Sequence, residues 1–296
     1  MKLHHRLAAL LAALVLSAAA NAQALRSGDV TVEKDVTIRY VEGGDRNAAT
    51  TLLFVPGWST TTAIWRDQLA AFAPQVRVVA VDPRSQGFST VTTHGNSPER
   101  RARDLREVIR ALGLTKVVLV GWSQGVQDVA AYAAAFEGEQ VAGYVLVDAA
   151  VSGGPEVATA HPADLKVQLG RMGLYTRYPR EYLRGMLGAI IASAEGKGRV
   201  DEFVELGLRT PPDIGVGMLL VDFMLIDRRP ALKKFNRPTL VIAATGADDL
   251  ESQRAMAREI AGAQFELVPQ AGHAVFLDQP AQFHRLLADF MNRIRG

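Results

Sequence analysis

Cysteine is absent from all 296 residues, so the chain forms no disulfide, and any nucleophile it uses is something other than a thiol. A surplus of one charge is missing too. The formal +2 comes from Lys2 and Arg6: residues 1–24 carry no acid, and 33 minus 2 leaves 31 basic groups against 31 acidic ones. Binding to nucleic acid or an anionic membrane needs a one-sided surplus of lysine and arginine, and neither partner is expected. Arg171, Arg177, Arg180 and Arg184 read as solvated helix arginines. Long apolar runs are also lacking. Leu7 to Leu16 is the longest near the start and is short for a bilayer span. It follows Lys2 and Arg6 and precedes Ala20-Asn21-Ala22 and Ala22-Gln23-Ala24, small-residue cleavage sites, so residues 1–24 read as a secretory signal peptide. The mature protein is expected in the periplasm or secreted from a bacterial cell, without a stable membrane anchor.

With 48% hydrophobic residues, the chain has enough apolar content for one large domain with an insertion, or for two domains. Val30 to Tyr40 alternates in the manner of a hairpin. After it come short, nearly all-apolar runs: Leu52 to Val55, Val76 to Val81, Val117 to Val120, Tyr144 to Val147, Leu240 to Ala243 and Phe265 to Val268. Helical patterns separate most of them, which predicts a buried, mostly parallel, doubly wound α/β sheet. Ser97-Pro98-Glu99 reads as a capped helix start, with Gly113 as its stop. Roughly ninety residues between Asp148 and Thr239 hold no convincing strand. Leu165 to Met172, Arg180 to Ala194, Val200 to Leu208 and Val216 to Ile226 look helical there, so a helical cap over 151–236 is expected, between core segments 25–150 and 237–296.

Chemistry concentrates in Gly121-Trp122-Ser123-Gln124-Gly125, directly after the run Val117 to Val120. A serine at a sharp strand-to-helix turn has a strained backbone, needs glycine on both sides, and presents its hydroxyl at the end of the sheet. A nucleophile there needs a base. Gly272-His273-Ala274 follows the last strand and enters the last helices, which puts an imidazole on the same sheet edge; His94, His161 and His284 have no such placement. The base needs an acid that fixes its tautomer. Gly246-Ala247-Asp248-Asp249 follows the Leu240 to Ala243 strand in the order Ser, Asp, His, and Asp249 is favoured over Asp248. Asp148 is a third candidate, with capping of its own turn as the ordinary reading. Asp82 is read as organising its own loop through backbone amides. An oxyanion formed on attack needs preorganised donors; the backbone amides of Gln124 and of Trp58, in Pro56-Gly57-Trp58-Ser59, are the natural pair.

Together with Phe54-Val55-Pro56-Gly57-Trp58 and Asp82-Pro83-Arg84-Ser85-Gln86-Gly87-Phe88-Ser89, these motifs resemble the α/β-hydrolase superfamily, in particular its lidded bacterial esterase, haloperoxidase-like and lactonase branches. The resemblance covers about Val30 to Gly296. Two departures stand out: Pro56-Gly57 replaces the His-Gly of many relatives, and the acid loop enters its helix almost at once. What the resemblance implies is acyl transfer on Ser123 with no metal or organic cofactor, on a small apolar ester or lactone. Serine at the turn excludes halide displacement by a carboxylate. Trp122, Met172, Tyr175, Met218 and Phe223 are expected to line the substrate pocket. An aminopeptidase-like or C–C bond hydrolase is the second reading and calls for an acidic cap residue, Glu181, Glu202 or Glu205. A slow-turnover ligand receptor that keeps the triad is the third.

Overall fold

The computed structural model describes residues 25–295; the segment read as a signal peptide lies outside them. Among the described residues, eight strands form one sheet in the order β1-β2-β4-β3-β5-β6-β7-β8. Strands β1 (Arg26–Glu33) and β2 (Val36–Gly43) are the expected hairpin, antiparallel to each other, and β2 runs antiparallel to β4 (Arg77–Val81). From β4 onward the pairing is parallel, through β3 (Thr51–Val55), β5 (Val117–Trp122), β6 (Val141–Val147), β7 (Thr239–Ala244) and β8 (Gln264–Val268).

The all-apolar runs exist because helices cover both faces of these strands. Side chains alternate across the pleat, so Leu52, Phe54, Val118 and Val120 join one core layer, while Leu53, Val55, Val117 and Leu119 join the other. The first layer holds the large aromatics Trp65, Trp122, Phe276 and Phe283. Helices α1 (Arg66–Phe72), α11 (Val275–Asp278) and α12 (Pro280–Arg295) contribute to it. His284 of α12 packs edge-on against Phe72, with ring centroids 5.4 Å apart, and burial holds its imidazole below the ordinary histidine range. The second layer is built by α2 (Pro98–Ala111), α3 (Gln124–Phe136) and α10 (Leu250–Glu259). Ser97 has the extended backbone of a cap residue ahead of α2, but its side chain makes no capping hydrogen bond.

The chain leaves β3 toward β4 on one side and returns to β5 on the other. The carboxyl ends of β3 and β5 therefore flank a topological switch point, where the loops diverge and a crevice opens. Ser123 and the Pro56 to Thr61 loop lie at these two ends. Between β6 and β7 stand the cap helices α4 (Gly154–Ala160), α5 (Pro162–Arg177), α6 (Pro179–Ile190), α7 (Ala194–Lys197), α8 (Val200–Gly207) and α9 (Pro212–Leu220). A π-helical turn, Val221–Leu225, closes the series. The cap docks through buried Tyr175, Leu183, Leu187, Val204 and Met218, which merge with the first core layer.

Two glycines set how close α3 comes to the sheet. A Cβ on Gly125 would stand 2.6 Å from the Val55 carbonyl oxygen and 3.0 Å from that of Pro56, and one on Gly121 would overlap the Gly125 carbonyl. Both obstacles are backbone and cannot step aside. Gly125→Ala is expected to lose about 1–3 kcal/mol, read as a lower midpoint in urea unfolding at unchanged m-value.

Candidate active site

Ser123 sits at φ 55° and ψ −119°, a conformation that costs a non-glycine residue roughly 1–3 kcal/mol and persists only when its surroundings enforce it. Its amide donates to Val147 O at 3.1 Å and its carbonyl accepts from Val126 N at 3.0 Å. The hydroxyl is thereby turned out of the sheet, at the first turn of α3, into a cavity.

His273 opens on that cavity from the loop between β8 and α11. The loop is pinned on three sides. Gly272 N donates to Asp278 Oδ2 at 2.8 Å, Ala274 N donates to Ile190 O of the cap at 3.2 Å, and Trp122 Nε1 donates to His273 O at 2.8 Å. A Cβ on Gly272 would come within 2.6 Å of Ile190 O, so glycine is what lets the loop and the cap approach.

The acid facing the imidazole is Asp148, and this corrects the preference for Asp249. Asp148 Oδ2 lies 2.9 Å from His273 Nδ1, and the residue is 2% exposed. Its other oxygen accepts from Ala244 N at 2.7 Å and from Gln253 Nε2 at 3.4 Å, so the carboxylate is aimed before any substrate arrives. An ionised carboxylate accepts only, which assigns the Nδ1 proton to His273 and leaves Nε2 as the acceptor. Asp249 has its oxygens engaged elsewhere: Oδ2 accepts from Ala150 N at 2.9 Å and Oδ1 from Gln253 Nε2 at 2.7 Å. It thus braces the turn that carries Asp148. Asp248 is exposed on the rim of the cavity. The physical reason is the short loop: α10 starts at Leu250, which draws Asp249 to the foot of the helix instead of extending it toward the histidine.

Ser123 and His273 line one cavity, but no hydrogen bond joins Ser123 Oγ to the imidazole in this structure. In enzymes without ligand such contacts are often long and tighten on binding.

The loop after β3 is organised from outside. Gln86 Oε1 accepts from Ser59 N at 2.7 Å, and Gln86 Nε2 reaches Gly57 O at 3.3 Å and Thr60 O at 3.4 Å. Gln86 therefore takes over the organising part left open by Pro56, a role missed in the sequence although its motif is conspicuous there. Asp82 holds its own loop through Phe88 N at 2.8 Å and ties it to the segment after β3 through Thr62 N at 2.7 Å; burial pushes its carboxyl up, and these amides oppose the shift. A Cβ on Gly57 would stand 3.1 Å from Ser123 Cβ, so this loop runs directly beside the serine. The amides of Trp58 and Gln124 have no backbone partner among the described residues and are free to receive a negative oxygen.

The cavity has two adjoining lobes, of about 780 and 550 Å³. Both are bounded by Ser123, His273, Arg171, Tyr182, Met186 and Phe223. Of the five residues expected to line it, Met172 and Phe223 do. The other three are corrected. Trp122 is buried beneath the histidine loop, its ring centroid 5.2 Å from that of His273. Tyr175 is buried against Trp58 at 4.8 Å between centroids, and Met218 packs in the core layer. Apolar spacing along a helix cannot tell a wall facing a cavity from one facing the core. Leu219, Met224 and Leu165 supply further apolar wall, and Arg171 borders it despite being read as merely solvated. Glu181 borders the larger lobe, whereas Glu202 is paired with Arg66 and Glu205 with Arg180.

The model of the alpha/beta hydrolase family matches residues 52–286, most of the chain and every element of the site. The chain belongs to this family. A bifunctional esterase/perhydrolase of Acinetobacter calcoaceticus is 36% identical over 123 residues, 41% of this chain and 44% of that protein. The match thus spans less than half of that relative. Among solved structures, a bromoperoxidase from Bacillus anthracis superposes with a TM-score of 0.80 at 19% identity, covering 90% of this chain and all of that one. An esterase from Rhodococcus sp. ECU1013 gives 0.78 at 24% identity, covering 90% and 99%. At these identities the likeness is one of fold. In this α/β hydrolase the carboxylate that meets the imidazole follows β6 instead of β7. A proton held between His273 Nδ1 and Asp148 resonates far downfield in proton NMR; Asp148→Asn is expected to abolish or shift that signal, while Asp249→Asn retains it.

Proposed function

We propose that this protein is a serine hydrolase that cleaves a small, apolar carboxylic ester or lactone through an acyl-enzyme on Ser123. The observation that carries the reading is the buried 2.9 Å contact between Asp148 and His273, whose imidazole opens on the same cavity as the strained serine.

Asp148 holds the tautomer in which Nε2 is free to take the Ser123 proton, and it stabilises the imidazolium that results. Ser123 Oγ then adds to the carbonyl carbon. The developing oxyanion is met by the Trp58 and Gln124 amides, each worth about 3–4 kcal/mol to the transition state. Collapse expels the alcohol with the proton from His273. Water, deprotonated by the same imidazole, releases the acid and restores the serine; in a lactone the two products stay on one molecule. Apolar, thioether-rich walls at Met172, Met186, Leu219 and Met224 suit an apolar group of adaptable shape. The esterase named in the A. calcoaceticus relative and the enol-lactonase from Burkholderia xenovorans LB400 among the structural neighbours support the ester or lactone class. With the export signal read in residues 1–24, the activity would be periplasmic or extracellular.

One observation favours a second reading. Glu181 borders the cavity without an ion-pair partner among the described residues, as the aminopeptidase-like alternative requires for a substrate amine.

The test is steady-state hydrolysis of p-nitrophenyl butyrate beside aminoacyl p-nitroanilides. Ser123→Ala and His273→Ala are expected to abolish ester turnover, and Asp148→Asn to lower kcat by about 10⁴-fold, with a much smaller loss for Asp249→Asn. Turnover of the anilides alone would select the second reading. Stoichiometric acylation without turnover on any ester, lactone or anilide would overturn both in favour of a ligand receptor.

A further inference from the structure

A buried ionic cluster lies behind the nucleophile turn, and the catalytic cycle does not use it. Arg101 of α2 is 2% exposed and its guanidinium meets two carboxylates. Its Nε donates to both oxygens of Asp128 at 3.0 Å, and its Nη2 to Asp222 Oδ2 at 2.6 Å. Asp128 stands one turn after Gln124 on α3, so the two share a helix face. Asp222 comes from the cap, in the turn Val221–Leu225, and its Oδ2 also accepts from Gln124 Nε2. Gln124 is 1% exposed and Asp222 fully buried. Gln124 Oε1 has no partner, so among the described residues the bond to Asp222 is the one hydrogen bond its side chain makes. Arg228 fastens the same cap turn from behind, donating to Val221 O at 3.1 Å and Asp222 O at 2.9 Å, with its other nitrogens on Glu99 of α2.

The placement of these residues links two parts of the site. Gln124 is the first residue of α3 and carries one of the two proposed oxyanion amides. Phe223, next to Asp222, is wall to both lobes of the cavity. We propose that Asp222 is a positioning residue: bound to Arg101 and Gln124, it holds the Gln124 amide in register with the cap turn that carries Phe223, so oxyanion geometry depends on the seating of the cap. The inference rests on the serine-hydrolase reading, because it concerns the donor that reading assigns. Chemistry favours a carboxylate at this place. One oxygen accepts from a guanidinium and an amide at once, and charge-assisted bonds of this kind are stronger and more directional than neutral ones. Burial pushes the Asp222 carboxyl up while Arg101 opposes the shift; burial likewise pushes the Arg101 guanidinium down, and Asp128 and Asp222 outweigh it and raise it. A neutral hydrogen-bonding group of the same shape keeps the bond and loses only the charge; an alanine loses both.

The experiment is a double-mutant cycle of Asp222→Ala and Gln124→Met, with Asp222→Asn as the conservative variant. It is read as kcat and KM for p-nitrophenyl butyrate and as affinity for an aryl trifluoromethyl ketone, to whose carbonyl carbon a serine oxygen adds to give a hemiketal oxyanion. Wild type is measured first. Absence of Ser123-dependent turnover and of ketone binding there would overturn the functional reading itself. With both present, Asp222→Ala is expected to lower kcat by about 10- to 100-fold, below the loss of a whole oxyanion donor. Ketone affinity should fall by the same factor while KM stays within about twofold, the pattern of an interaction made in the transition state. The double variant should be no worse than the poorer single one, and Asp222→Asn should recover most of the loss. If Asp222→Ala does not fold, Gln124→Met removes the same bond from its other end and is expected to show the loss of kcat and of ketone affinity by itself, with Asp222→Asn near wild type. Unchanged kcat in Asp222→Ala or in Gln124→Met, a kcat loss with ketone affinity intact, or additive losses in the double variant would each overturn the proposal.

Discussion

Everything at this site hangs on one steric constraint, the absence of any Cβ where the Ser123 turn crosses the ends of β3 and β5. Gly121 and Gly125 let backbone touch backbone, with Val55 O and Pro56 O pressed against the start of α3. That contact keeps Ser123 in a conformation it would abandon in isolation, and it places the β3 loop beside the serine. The strain is local, but what enforces it is the packed sheet beneath, where all of β3 pairs with Val117 to Gly121 of β5. A turn of the same five residues on a looser scaffold would relax, and its hydroxyl would swing away from the cavity.

Around this turn, the site is tied to the cap by polar bonds placed on opposite sides. Trp58 Nε1 donates to Gly215 O, and the Gly207 backbone lies against Ser59 O with no room for a side chain. Across the cavity, Asp278 accepts from Ala192 N and Ser193 N of the cap and from Gly272 N of the histidine loop. Asp222 makes a third tie, through Gln124. Buried polar groups of this kind are costly unless paired, so they reward one docking geometry over its neighbours more sharply than the apolar contacts do. The cap is in this sense part of the site's framework as well as its roof.

The acid shows how loop length redistributes roles among similar residues. Asp148 and Asp249 lie at the ends of adjacent strands and share Gln253 as a donor. Whichever of them reaches the imidazole leaves the other as support. Early entry into α10 gives the contact to Asp148, and Asp249 becomes the brace that holds Ala150, two residues further on.

Strand order along the chain, the hairpin, the strand-free interval after β6 and the placement of Ser123 at a strand-to-helix turn and of His273 after the last strand were legible in the sequence because each rests on a local rule. Buried parallel strands need unbroken apolar runs, a sharp strand-to-helix turn needs paired glycines, and a histidine in a loop after the last strand has few other places to go. Contacts between distant elements were less legible: Asp148 stood only third among the candidate acids for His273, and Gln86 with Ser59 and Asp222 with Gln124 left no local signal. The same is true of side chains that face either core or cavity, and Trp122, Tyr175 and Met218 turned inward while Met172 and Phe223 did not. By itself the sequence determined which backbone conformations and burial patterns were possible. Tertiary structure alone decided which carboxylate, which amide and which apolar face meet, because those choices depend on distances of a few ångströms between segments far apart in the chain, 125 residues for Asp148 and His273.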